Sequence, residues 1–227
     1  MPMAGQGKRF QQAGYSECKP LIPINGKPMF QHVVENINLD FSEKIFIVQK
    51  QHKIATSVKN IYPRSTVIEL GNPTEGAAET ILKAKAYFEN GSSIFIANCD
   101  QHVVWDSQSF KKTFSNSDGV IAIFHEPSKE KKWSYAKLDG MKVTAVAEKK
   151  PISEWATVGF YAWKDGKEFI RAANKMIENN DRVNGEFYLC PVFNYSIKNK
   201  KNIFAFQVDK MHGIGTPEDL QKWINLR

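Results

Sequence analysis

The sequence predicts an α/β fold built in three layers, α/β/α, around a mixed but mostly parallel central sheet. Short apolar runs such as KIFIVQ at 44–49 and SIFIAN at 93–98 alternate with longer segments of helical period. The four central residues of each run are apolar, as in strands covered by helices on both faces. A third observation mixes the sheet. Asp139-Gly140, between two strand-like stretches, is a two-residue hairpin signal that sets one pair of strands antiparallel.

In order along the chain, only four residues precede the first glycine, whereas a buried strand ordinarily runs about five or six. The expectation is therefore a natural start a few residues upstream, or a truncated first strand. Pro28 suits the first position of a helix whose apolar stripe is Met29, Val33 and Ile37, flanked by Phe30 and Val34. A strand follows at 44–49, then a helix at 50–60, a strand at 66–70, an alanine-rich helix at 75–88 and a strand at 93–98. Residues 107–114 read as a helix, 119–124 as a strand, and 135–138 with 141–147 as the two arms of the hairpin. The pattern closes with a strand at 157–163, helices at 166–179 and 188–198, and a strand at 203–208. Thr216-Pro217-Glu218-Asp219 opens the last helix, with Pro at its first position and an acid three residues after Thr. No repeat, low-complexity run or linker interrupts it, so residues 1–227 read as one domain.

Composition narrows the function. The net charge of +7 suits a small anionic ligand, although lysines on solvated helix faces would also produce it. The basic residues are scattered and form no nucleic-acid module, so no nucleic-acid partner is expected. No apolar run reaches membrane length, and no signal-peptide pattern opens the chain. Cys18, Cys99 and Cys190 have no paired metal spacing and leave an odd thiol, which points to a reducing, cytoplasmic setting. A homo-oligomer is left open.

Chemistry gathers first at Met3-Ala4-Gly5-Gln6-Gly7-Lys8-Arg9-Phe10, with Cys18-Lys19-Pro20 and Gly26-Lys27-Pro28 after it. Two glycines let the backbone turn tightly and expose its amides, while Lys8, Arg9 and Lys19 bring cations to the same edge. The absence of a Gly-Lys-Ser/Thr ending argues against a P-loop kinase. Asp100 directly follows the strand at 93–98, where a short carboxylate suits Mg²⁺ beside nucleotide phosphates or, equally, a capping role. In an open parallel sheet ligands collect at the carboxyl ends of the strands, which places the glycine loop and Asp100 on one edge.

The string MAGQGKRF…CKPLIPINGKPM resembles the signature of the sugar-phosphate nucleotidyltransferases, the family of NDP-sugar pyrophosphorylases. Further segments match in the same order: ANCDQ, EKKP, ATVGFY, NGEFYLCPVFN and GIGTPEDL. The resemblance implies a Rossmann-like nucleotide-diphospho-sugar transferase fold. It implies an enzyme that moves a nucleoside monophosphate from an NTP to a phosphorylated small molecule and releases pyrophosphate. Nucleotide binding then falls to Met3, Ala4, Gly5, Gln6, Gly7, Lys8 and, through its backbone, Gly76, with Arg9 and Lys19 catalytic. Asp100 becomes the Mg²⁺ ligand. Glu148, Lys149, Gly159 and Glu186 become the acceptor group, with Lys150 in reserve for Lys149. Many relatives carry a second metal-binding aspartate two positions before the Gly-Thr, where this chain has Gly213, and Asp209 is the nearest upstream carboxylate. The segments look most like those of nucleotidyltransferases from capsule and surface-polysaccharide loci, which implies CTP and L-glutamine phosphate as substrates. Three alternatives stay open: a sugar-1-phosphate acceptor, a metal-dependent glycosyltransferase using Asp100-Gln101-His102, and a nucleotide-binding module without turnover.

Overall fold

The computed structural model describes residues 1–226. Strand β1 (Pro2–Met3) leads into helix α1 (Lys8–Gln12), the small hairpin β2 (Pro23–Ile24) and β3 (Lys27–Pro28), and helix α2 (Met29–Ile37). Next come β4 (Ile45–Gln49), α3 (Ala55–Ile61), β5 (Thr66–Leu70), α4 (Ala77–Leu82), β6 (Ile94–Ala97), β7 (Gln101–Val104) and α5 (Ser107–Ser115). Strands β8 (Gly119–His125), β9 (Ser134–Asp139), β10 (Lys142–Glu148) and β11 (Trp155–Trp163) follow. The chain ends through α6 (Gly166–Glu178), α7 (Val192–Lys198), β12 (Ile203–Gln207), β13 (Lys210–Gly213) and α8 (Pro217–Ile224). The α/β class is the expected one.

Contacts divide the chain into two compact units. The first holds Met1–Pro73, Asn98–Ser107 and the chain from Lys210 onward. Its sheet is wholly parallel, in the order β1-β4-β5, and short β1 pairs Pro2 with Ile47 and Met3 with Val48. Met3, Phe30, Phe46, Val48, Ile54, Val58 and Cys99 form its core. Phe46 packs edge-on against Phe30 at 5.6 Å and stacks on Tyr62 at 5.7 Å. Each such side chain, fully buried, contributes on the order of 1.5–3 kcal/mol. Helix α2 supplies the stripe read from sequence: Met29, Phe30, Val33 and Ile37 are buried.

The second unit holds Thr74–Ala97 and Gln108–Asp209. Its six strands run in the order β6-β11-β8-β12-β10-β9. β11 lies antiparallel between β6 and β8, β12 is parallel to β8, and the β9–β10 hairpin is antiparallel. Thus β6, β8, β12 and β9 share one direction and β11 and β10 oppose it. Trp163 stacks on Phe193 at 3.8 Å and donates its indole N–H to Ser196, joining β11 to α7.

Several elements differ from expectation. The helix at 50–60 breaks at Lys53, whose φ of 54° ends a 3-10 turn (Lys50–His52) before α3 begins. The helix at 75–88 stops after six residues and resumes as a 3-10 turn (Lys85–Tyr87), which lays the Phe88 carbonyl against Gly166. The helix at 188–198 starts only at Val192, because a residue before proline avoids the helical region and Pro191 is the helix cap. Four strands were unforeseen: β7 with its antiparallel partner β13, and the two-residue pair β2 and β3. Pro28 ends β3 in extended backbone, at ψ 143°, and caps α2 instead of taking its first helical position. The last helix is as read, with the Thr216 hydroxyl accepting from the Asp219 amide at 3.1 Å.

Candidate active site

In the first unit the glycine loop is fixed at both ends by core side chains. Met3 and Phe10 are almost completely buried, and Phe10 packs edge-on against Tyr15 at 5.1 Å. The Met3 side chain thus belongs to the core of the unit. Between them Gly5, Gln6, Lys8 and Arg9 are exposed. Gly7 caps α1 with φ 64°, a conformation that favours glycine, and its carbonyl accepts from Phe10 and Gln11. A Cβ on Gly7 would stand 3.1 Å from the Lys19 Cβ, so the loop and the lysine are in near contact.

Lys19 is ion-paired with Asp100, side-chain exposure being 22% and 27%. Burial opposes the Lys19 charge, but Asp100, aided by Cys99, outweighs it and lifts the ammonium above its ordinary value. Asp100 is positioned from two sides. The Asn36 side chain on α2 bonds both the amide and the carbonyl of Val103 at 2.8 Å, acting as a neighbouring strand for β7. On the other side β13 pairs Gly213 with Gln101, and Ile214 donates to the Asp100 carbonyl at 2.9 Å. A Cβ on Gly215 would lie 2.5 Å from Asp100 Oδ2, so a glycine is needed there to seat the carboxylate. No group of three or more His, Cys, Asp and Glu side chains gathers in a metal-holding arrangement among the described residues. Asp209 is exposed and belongs to the second unit. A single carboxylate still fits Mg²⁺, which commonly takes one or two carboxylates together with waters and substrate phosphates.

The residues expected to bind the acceptor all lie in the second unit, and Gly76 with them. Glu148 ends β10 and accepts from the Ser134 hydroxyl on β9. Burial pushes its carboxyl above the ordinary value; Ser134 and Lys149 oppose the shift, and Glu186 adds to it. Tyr161 and Cys190 lie in the same buried cluster, both held neutral by burial. Lys149, at φ 53°, donates to the Tyr188 hydroxyl and lies 4.5 Å above its ring, whereas Lys150 is exposed. Gly159, at φ 87°, sits in an irregularity of β11 where residues 158–160 stand opposite Ala122 alone. Exposed Glu186 leaves a tight turn, Val183-Asn184-Gly185-Glu186, in which Asn184 and Gly185 both have positive φ and Val183 and Glu186 exchange amide hydrogen bonds.

Gly76 has φ 145°, and a Cβ there would fall 2.4 Å from the Phe187 carbonyl oxygen. Its identity is thus explained by close backbone approach: Phe187 donates to Glu75 at 2.8 Å and accepts from Ala78 at 3.0 Å. Asn36, Ser134, Arg182 and Tyr188 went unnoticed as site-shaping residues. Tyr188 had a signal, since it lies inside the NGEFY segment. The other three act through the fold and leave no local pattern.

The nucleotidyl transferase family profile matches residues 3–225, nearly the whole chain. The chain belongs to the nucleotidyl transferase family. Among solved structures, this nucleotidyl transferase is similar to a nucleoside-diphosphate-sugar pyrophosphorylase from Vibrio cholerae RC9, with a TM-score of 0.87 and 26% identity over 99% of this chain and 100% of that one. The inositol-1-phosphate CTP transferase of T. maritima shares the fold at a TM-score of 0.79 and 14% identity, covering 99% of this chain and 92% of that one. Among curated relatives, the bifunctional protein GlmU of Methanocaldococcus jannaschii is 29% identical over 133 residues, which is 54% of this chain and 32% of that protein. The chain spans about a third of the length of the GlmU relatives it matches. No helix among the described residues is long and apolar enough to cross a membrane.

Proposed function

We propose that the protein transfers a nucleoside monophosphate from an NTP to a phosphorylated small molecule and releases pyrophosphate. The observation that carries this reading is the Lys19–Asp100 pair set against the Gly7 loop, a cation and a carboxylate beside exposed backbone. Attack by an acceptor phosphate oxygen on the α-phosphorus demands positioning and charge neutralisation more than covalent help from the protein. In this reading the amides of residues 5–8 cradle the leaving pyrophosphate with Arg9, and Lys19 neutralises the α-phosphate. Mg²⁺ held by Asp100 supplies further neutralisation of phosphate charge when bound. Lys149 holds the acceptor's phosphate, with Tyr188 orienting the ammonium, and Glu148, Gly159 and Glu186 orient the rest of the acceptor.

For the substrates we put CTP and L-glutamine phosphate first, giving CDP-L-glutamine for capsular polysaccharide modification. Support comes from the resemblance of the matched segments to capsule-locus nucleotidyltransferases. A sugar 1-phosphate acceptor is the second reading, favoured by the 26% identity to a protein described as a nucleoside-diphosphate-sugar pyrophosphorylase. The test is to combine CTP, UTP, dTTP, ATP and GTP with Mg²⁺ and L-glutamine phosphate, phosphorylated sugars or acyl phosphates, following pyrophosphate. Release with one pairing is expected. Nucleotide binding with no release from any pairing would instead favour a binding module.

A further inference from the structure

Arg182 has no part in the proposed transfer, yet its guanidinium reaches four neighbours. Nε donates to Asn180 Oδ1 at 2.6 Å, one terminal nitrogen to the Gly185 carbonyl at 3.0 Å, and the other to Glu75 Oε2 at 2.8 Å. The flat face lies 3.9 Å from the centre of the Phe187 ring. This use of both the planar fork and the stacking face is particular to arginine. The side chain is only 26% exposed, and Phe187 is buried.

These contacts join two stretches far apart in sequence. One is the turn Glu75-Gly76, the other the turn that presents Glu186. Backbone bonds already fix Phe187 beside Gly76, but they leave Asn184, Gly185 and Glu186 in an exposed two-residue turn. Arg182 supplies the tie, because it holds the Gly185 carbonyl and the Glu75 carboxylate at once.

We propose that Arg182 is a positioning residue that couples the nucleotide-side turn at Glu75-Gly76 to the acceptor-side turn at Gly185-Glu186, so that binding on one side prepares the other. The proposal rests on the reading above that Gly76 serves the nucleotide and Glu186 the acceptor. Coupling between two binding sites is reciprocal and commonly amounts to about 5- to 150-fold. Glu75→Gln keeps the shape and weakens the tie, and Arg182→Lys keeps the charge but loses the fork and the stack.

Backbone hydrogen exchange with CTP or UTP and Mg²⁺ tests it without needing turnover. In the wild type, exchange at 76–80 and at 184–188 is expected to slow together, by about fivefold or more at the second stretch. In Arg182→Ala the first stretch still slows and the second does not, with Glu75→Gln between. In steady state the acceptor KM of Arg182→Ala should rise about 5- to 30-fold with kcat within about twofold, and Arg182→Lys should recover part of it. Equal slowing of 184–188 in wild type and Arg182→Ala, or none there in wild type while 76–80 slows, would overturn the coupling. If neither stretch slows with either nucleotide, the nucleotide reading of Gly76 itself fails, and the coupling falls with it.

Discussion

Lys19 and Glu148 are both partly buried ionisable groups, but their surroundings treat their charges differently. Lys19 has its counter-charge in place, so the net effect favours the ammonium despite burial. Glu148 has the Ser134 hydroxyl and Lys149, and these do not offset burial and the nearby Glu186. A carboxyl raised above its unfolded value binds its proton more tightly in the native state. The associated stability is full below the ordinary carboxylate pKa and is lost as pH rises through the higher folded value. Glu148→Gln should therefore melt no lower than wild type at pH 7, and the melting difference should shrink toward acid pH. Acceptor KM should nevertheless rise by about tenfold or more, as expected for loss of a hydrogen bond to a charged group. A variant that melts lower at pH 7 than at pH 4, relative to wild type, would contradict this account of Glu148.

Helix asparagines do the same work for two strands that adjoin or end in candidate site residues. Asn36 on α2 bonds both backbone groups of Val103 in β7, and Asn194 on α7 bonds both of Val146 in β10 at 2.9 Å. One strand follows Asp100 and the other ends in Glu148. Each side chain substitutes for ladder partners that a strand would otherwise supply, and its loss leaves a donor and an acceptor unpaired. Asn36→Ala and Asn194→Ala should each lower stability by about 1–3 kcal/mol, read as a drop of several degrees in melting temperature. Unchanged melting in both would show that water takes over these bonds.

The elements legible in the sequence were those with a local cause. The apolar stripe of α2, the Thr216 cap of α8 and the Asp139-Gly140 turn all write their reason into adjacent residues. Even there the pairing slips by one: Asp139 pairs with Lys142, so Gly140 and Met141 form the loop. Strands β7 and β13 were illegible because each is only four residues long and exists through the other and through Asn36. Gly76 was legible as a special glycine, but the reason lay with Phe187, more than a hundred positions away, beyond any local pattern.

At the scale of the whole molecule, the candidate residues are distributed over both compact units. The glycine loop, Lys19 and Asp100 belong to the first unit, while Gly76, Glu148, Lys149, Gly159 and Glu186 belong to the second. The first is built on a parallel sheet, as the alternating strands and helices predicted, but the strand expected in it at 93–98 belongs to the other unit, antiparallel to β11. The second is a mixed sheet in which β11 runs against both its neighbours. Family membership was written in motifs spread from the first residues to the Thr216 cap, which is why the resemblance was visible before the fold. Specificity was not written there, because backbone carries the base contact in this reading and the acceptor residues are held by Ser134, Tyr188 and Arg182.

The central claim is transfer of a nucleotidyl group with Lys19 and Asp100 at the reacting phosphate, and labelled nucleotide tests it most directly. With the nucleotide and acceptor that release pyrophosphate, α-labelled phosphate should appear in the acceptor product and γ-labelled phosphate in pyrophosphate. Lys19→Ala and Asp100→Ala should fold normally and lose on the order of 10²- to 10³-fold in kcat, the scale of removing one electrostatic stabiliser. Alpha label that stays out of the acceptor product, γ label released as orthophosphate, or near wild-type transfer by either variant would contradict the account.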